Sequence, residues 1–267
     1  MSGGRPAGPP VTILALAIGG ALLFMVAARS SHLSAPADPV PGAGVAAPTI
    51  RVVAGLIPPY MNAEGEGRES VAIRSTLGAQ AGAADVEFFV LPFSRHWTSF
   101  LNDDRFDAVA TVPDGMSLEG FHSRPYITYQ NGIGYRCADH PGTFAADDLD
   151  GLHIVAFSGA SAVLDAIRQR MPAFESYIEI ANQRVHSQML IDGRADAIVA
   201  DESIFAYYND EIRAGLAPDA REAVPELCFA AIFPQTDYHM VFRSEALRDL
   251  FDSGAPAAGA GDGRGRP

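Results

Sequence analysis

Residues 86–112, VEFFVLPFSRHWTSFLNDDRFDAVATV, carry three successive hydrophobic patterns. VEFFVL (86–91) is a short apolar run rich in branched and aromatic residues, the pattern of a buried strand. Ser94, after Pro92, is placed to cap a helix that runs through Trp97, Phe100 and Leu101. Asn102, Asp103 and Asp104 form a turn signal, and FDAVATV (106–112) returns to strand composition. Two strands joined through a helix run parallel, because a hairpin has no room for the helix.

The same alternation extends upstream. IRVVAG (50–55) is a β-branched strand ending in glycine, followed by the loop LIPPYMNAEGEGRE (56–69). Residues 71–81 carry Val71, Ile73 and Leu77 at helical spacing, and Gly82 is placed to stop that helix. The order strand, helix, strand, helix, strand predicts an open parallel sheet with covering helices. Downstream the pattern recurs in different sequence: a long stretch at 126–136, a strand at 152–156, and a helix at 161–170 opened by Ser158-Gly159-Ala160-Ser161. A strand at 177–180, a helix at 185–192 and a strand at 195–200 complete it. A strand at 238–242 and a helix capped by Ser244, with Leu247, Leu250 and Phe251 on its apolar face, close the folded part. Two α/β lobes are predicted.

The ends differ from this middle. Residues 11–28, VTILALAIGGALLFMVAA, contain no charge. Their length falls between a secretory apolar core of about 7–15 residues and a spanning helix of about 17–25, so residues 1–29 are a signal peptide or a membrane anchor. Val26-Ala27-Ala28 offers small residues for cleavage. Residues 30–48 and 254–267 are rich in proline, glycine and alanine and are predicted to be a disordered linker and tail.

Of the 267 residues, 48% are hydrophobic and 19% charged, an ordinary globular balance. All 19 basic residues are arginine, against 32 acids, giving a net charge of -13. Without clustered basic groups a nucleic-acid backbone is not an expected partner. The seven histidines are dispersed, and no H-E-x-x-H, C-x-x-C, Walker or G-x-S-x-G arrangement occurs. Neither a metal nor a cofactor is expected, and no carboxylate pair is singled out for acid–base catalysis.

Four stretches then carry a family resemblance: VVAGLIPPYM (52–61), SFLNDDRFDAVAT (99–111), SRPYITYQNGIGYR (123–136), and the pair LDGLHIVAFSGAS (149–161) with LIDGRADAIVADESIFAYY (190–208). In order and spacing the chain resembles the solute-binding proteins of family 3, bilobed receptors that serve ABC-type uptake transporters. The resemblance implies a type II periplasmic-binding-protein fold, two α/β lobes joined by two hinge strands with ligand in the cleft. Lobe 1 would comprise residues 49–134 and 236–253, and lobe 2 residues 135–235. It implies two partners, a small polar solute such as an amino acid or amine and a membrane transporter permease. It also implies a location in the periplasm or on the inner membrane facing it. Enzymes on the same scaffold, dehydratase-like, and membrane-tethered sensory modules are the alternatives.

Cleft candidates follow from the same places. Tyr60, after the first strand, offers a ring to stack on ligand or to pack in its proline-rich loop. Thr111 ends the third strand, where similar proteins hold ligand through backbone and hydroxyl groups. Ser158, Gly159 and Ser161 form a small-residue turn whose N–H groups suit an anion or an ordinary cap. Asp201 matches the position that pairs with a ligand ammonium in relatives, and it is equally placed to cap the next helix. The arginine that relatives use to grip an α-carboxylate is missing from VPDGMSLEGFHS (112–123); Arg95 is the substitute candidate. Cys137 and Cys228 flank the two crossovers, so neighbouring hinge strands would bring them within reach of a bridge; two reduced thiols are the alternative.

Overall fold

A computed structural model describes residues 49–80 and 85–254. The leader, linker and tail, and the Gly82 stop signal, lie outside the described residues. Among these residues no helix is long and apolar enough to cross a membrane.

The chain builds β1 (Ile50–Leu56), α1 (Arg68–Gln80), β2 (Val86–Pro92), α2 (Arg95–Asn102), β3 (Ala108–Pro113), β4 (Phe121–His122) and β5 (Ile127–Arg136). It continues through β6 (His153–Phe157), α3 (Ala160–Val163), α4 (Asp165–Arg170), β7 (Ser176–Ile180), α5 (Gln183–Ile191), β8 (Ala197–Asp201) and α6 (Glu202–Ala214). α7 (Pro218–Glu222), β9 (Leu227–Ala230), β10 (Gln235–Phe242) and α8 (Glu245–Gly254) complete it.

The strands form one curled sheet in the order β2-β1-β3-β10-β5-β8-β6-β7. β1 is parallel to β2 and β3, and β6 is parallel to β7 and β8. Between these groups run two antiparallel strands. Gln235–Tyr238 of β10 pair with Ile127–Gln130 of β5; β10 then goes on beside β3, and β5 beside β8. Each of these strands therefore belongs to both α/β halves, the two-lobed arrangement predicted from the alternation.

Each half has two apolar layers because its central strands are buried on both faces. Val52 and Ala54 of β1 face Ile73, Leu77 and Phe251, while the intervening Val53 faces Phe100, Val109 and Val241. In the other half Ile154 and Ala156 of β6 join Ile167, and Val155 joins Leu190 and Ile198.

Some expectations change. Ser94 has φ 70° and its side chain caps nothing. The predicted helix at 161–170 is two helices, broken at Leu164, whose backbone is extended. Neither proline nor glycine marks the break; Leu164 is buried in the core that includes Ile167. The short strands β4 and β9 had no sequence signal of their own. β9 pairs with β5 so that Cys228 lies opposite Tyr135, and Cys137 and Cys228, 91 residues apart, are joined in a disulfide with Cα atoms 5.1 Å apart.

Candidate functional site

The carboxyl ends of β1, β3 and β8 converge where β5 and β10 cross, and the polar residues there are almost all buried. After β1 the chain folds into a turn closed by Ile57 N–H donating to the Met61 carbonyl at 2.9 Å. Gly67, at φ 132°, lets α1 start against this turn, since a Cβ there would lie 2.3 Å from the Tyr60 carbonyl oxygen. Glu69 N–H then donates to that carbonyl at 2.9 Å. Its side chain turns into the protein and is 0% exposed.

Glu69 accepts hydrogen bonds from Thr111 Oγ1 and Tyr129 Oη, both at 2.8 Å. Burial raises its pKa above the usual carboxylate value, against the opposing pull of the Thr111, Tyr129 and Tyr126 donors. Thr111 has φ 59°, a costly backbone for a β-branched residue. Tyr126 Oη accepts from its N–H at 3.1 Å, and Trp97 Nε1 donates to its carbonyl at 3.2 Å.

Tyr60 stacks on Tyr129 with ring centroids 4.0 Å apart, and Tyr129 lies 4.4 Å from Tyr238. The Tyr60 hydroxyl donates to Asp201 Oδ1 at 3.1 Å, linking the first half to the second. The same oxygen accepts from Ser203 and Ile204 N–H, capping α6, and Oδ2 accepts from Gln130 N–H at 2.9 Å. Burial raises the Asp201 pKa, with these donors opposing. Arg68 lies over the Tyr60 ring and donates to Ser203 Oγ at 2.9 Å, a second link between halves. Tyr60, Thr111 and Asp201 thus lie in one cluster, engaged with protein partners. Asp201 is buried with Oδ1 taken by Tyr60, Ser203 and Ile204 and Oδ2 by Gln130.

Ser158, Gly159 and Ser161 lie elsewhere, at the ends of β6 and β7. Their turn holds an anion, and that anion belongs to the chain itself. Gly159 N–H donates to Glu179 Oε2 at 2.7 Å, Ser161 N–H to Oε1 at 2.9 Å, and Tyr177 Oη to Oε1 at 2.8 Å. Burial pushes the Glu179 pKa up, but the Ser161, Tyr177 and Gly159 donors outweigh it and hold the carboxyl below its usual range. Arg95 opens α2 exposed, with no hydrogen bond or ion pair to the described residues.

A cavity of about 240 Å³ is lined by residues of both halves. Leu56, Pro92 and Phe93 wall it from the first half, and Asn182, Gln183 and Tyr208 from the second; none of its lining residues is charged. Gln183 is 8% exposed, and its Oε1 has no hydrogen-bond partner among the described residues.

Glu69, Glu179, Gln183 and the tyrosines of β5 and β10 were not singled out in the sequence. In the sequence Glu69 ends a stretch that holds other glutamates, and Glu179 alternates along a strand as surface residues do. Only tertiary contact separates them from solvated carboxylates. The arrangement offers two polar links between the halves and an uncharged cavity that both halves line.

No protein-family model and no curated protein matches the chain. Solved structures do. A histidine kinase sensor domain with similarity to periplasmic binding proteins matches with a TM-score of 0.60 at 19% identity, covering 78% of this chain and 90% of that one. The GluR0 ligand-binding core from Nostoc punctiforme, in complex with L-glutamate, gives 0.57 at 19% identity, covering 77% and 91%. The ancestral amino-acid-binding protein AncCDT-1, a precursor of cyclohexadienyl dehydratase, gives 0.57 at 19%, covering 78% and 88%. At these identities the likeness is one of fold.

Proposed function

We propose that the chain is an extracytoplasmic solute-binding receptor that captures a small polar solute, an amino acid, amine or similar molecule, between its halves. The carrying observation is the cavity walled by both halves. A solute there touches both sides, so closure and binding reinforce each other, a hinge motion rather than bond chemistry. Amino-acid-binding proteins with the same fold support this reading.

In this reading the protein belongs to family 3 and hands its solute to the permease of an ABC-type transporter. It works in the periplasm, free or tethered to the inner membrane through residues 11–28. The disulfide between Cys137 and Cys228 fits such an oxidising compartment. The sensor-domain neighbour supports a second role for the same binding event, signalling instead of uptake.

Isothermal titration of the protein with amino acids, amines and small organic acids, with NMR of the recovered solute, tests the proposal. Saturable binding with the solute recovered unchanged is expected. Catalytic consumption of a bound compound would make the chain an enzyme on this scaffold. No saturable binding across the panel would end the receptor reading.

A further inference from the structure

Leu56, Ile57, Pro92 and Phe93 give the cavity an apolar wall in the first half, and Asn182 and Tyr208 line it from the second. None of the described residues in its lining carries a charge. An apolar cavity of about 150 Å³ holds benzene, so one of about 240 Å³ has room for a single ring or branched chain with a polar group attached.

The groups that could neutralise a charged solute lie outside this lining. Asp201 is buried, and both of its oxygens accept from protein donors. Thr111 is buried and donates to Glu69. The Gly159 and Ser161 amides hold Glu179. Arg184, two residues beyond Asn182, is held by Glu211 at 2.8 Å, Arg95 is exposed, and the chain contains no lysine. A carboxylate or ammonium that leaves water for this cavity therefore meets no opposite charge in its walls, and desolvating an ion without one costs far more than desolvating a neutral group.

The polar groups that the lining does supply are neutral. Asn182 is exposed and caps α5, its Oδ1 accepting from Arg184 N–H at 3.2 Å. Tyr208 is half-buried, its ring packed on the core of the first half. A carboxamide and a phenol exchange hydrogen bonds with a neutral partner without asking either side to desolvate a charge.

We infer that the solute this cavity selects carries no formal charge: an apolar body with a neutral hydrogen-bonding group of the carboxamide kind, preferred over the acid, amine or amino acid of the same skeleton. This inference rests on the receptor reading and narrows its solute to one chemical class.

Two matched sets test it: isovaleramide with isovalerate, isoamylamine and leucine, and phenylacetamide with phenylacetate, phenethylamine and phenylalanine. Isothermal titration of the full chain is expected to show, in at least one set, the carboxamide binding about tenfold or more tightly than each charged relative, which saturates at higher concentration. Leu56 is 41% exposed, so Leu56→Trp can fill the cavity without disturbing the core. That variant is expected to weaken the carboxamide about tenfold or more with an unchanged urea midpoint. Asn182→Asp keeps the oxygen that caps α5 and sets a carboxylate in the lining, so it is expected to move the balance between amine and carboxamide about tenfold toward the amine.

A charged relative that binds as tightly as its carboxamide in both sets overturns this inference and leaves the receptor reading standing. Carboxamide affinity that Leu56→Trp leaves unchanged, or a balance that Asn182→Asp does not move, also overturns it. Absence of saturable binding by every compound overturns both.

Discussion

Glu69 and His96 are both 0% exposed and respond to pH in opposite directions. Burial raises the Glu69 pKa above its ordinary 4.5, so the folded state binds the proton more tightly than the unfolded chain. Its contribution is fully favourable below that value and is lost as pH rises through the raised pKa. Against Glu69→Gln, the wild type is expected to lose stability as pH climbs above about 4.5. His96 is packed 4.7 Å from Trp97, and neither ring nitrogen has a partner among the described residues. Burial pushes its pKa from 6.5 down to about 3, so here the unfolded chain binds the proton more tightly. Against His96→Leu, the wild type is expected to lose stability as pH falls below 6.5, at a rate approaching about 1.4 kcal/mol per pH unit. Urea midpoints of wild type and each variant between pH 4.5 and 7.5 check both slopes. Parallel curves for either pair would show that the group titrates alike in both states. Neither residue was marked in the sequence, since burial of a glutamate or a histidine in the first turn of a helix is set by what packs over it.

Among the elements, α6 depends most on one side chain. Asp201 ends β8 and caps α6 with one oxygen while Gln130 of β5 donates to the other. Asp201→Ala removes the cap, worth about 1 kcal/mol, and leaves the buried Tyr60 hydroxyl and Gln130 N–H without an acceptor. A combined loss of about 3 kcal/mol in denaturant unfolding is expected, and a clearly smaller loss for Asp201→Asn, which retains one acceptor. Equal losses would mean that Asp201 acts through its charge rather than as an acceptor. The strand-then-cap pattern of ADAIVADES was visible in the sequence, because capping is a contact between near neighbours. The Tyr60 and Gln130 contacts were not, and neither was the break at Leu164.

For the molecule as a whole, two features tie the halves and the chain together. The disulfide closes a loop 91 residues long, so replacing Cys137 and Cys228 by serine is expected to cost about 4–5 kcal/mol in the chain-entropy picture. Equilibrium unfolding with and without reductant measures this, and insensitivity of the wild type to reductant would remove the bridge from the account of stability. The Tyr60 to Asp201 and Arg68 to Ser203 contacts join the first half to the second. Tyr60→Phe is expected to cost about 1 kcal/mol and, with Arg68→Ala, to raise the radius of gyration measured by solution scattering as the halves part. An unchanged radius in the double variant would show that the crossing strands alone hold the halves together.

The alternation of apolar periods by itself determined the α/β architecture and its two-lobed organisation, because periodicity is a property of neighbouring residues and survives without knowledge of the fold. The charge balance likewise argued against a nucleic-acid partner. The use of each carboxylate was decided only by tertiary structure. Asp201 meets Tyr60 across 141 positions, Glu69 meets Thr111 across 42, and Glu179 reaches back 20 to Gly159. A carboxylate's behaviour depends on its burial and on the donors that surround it, and those donors are assembled only when distant strands lie side by side.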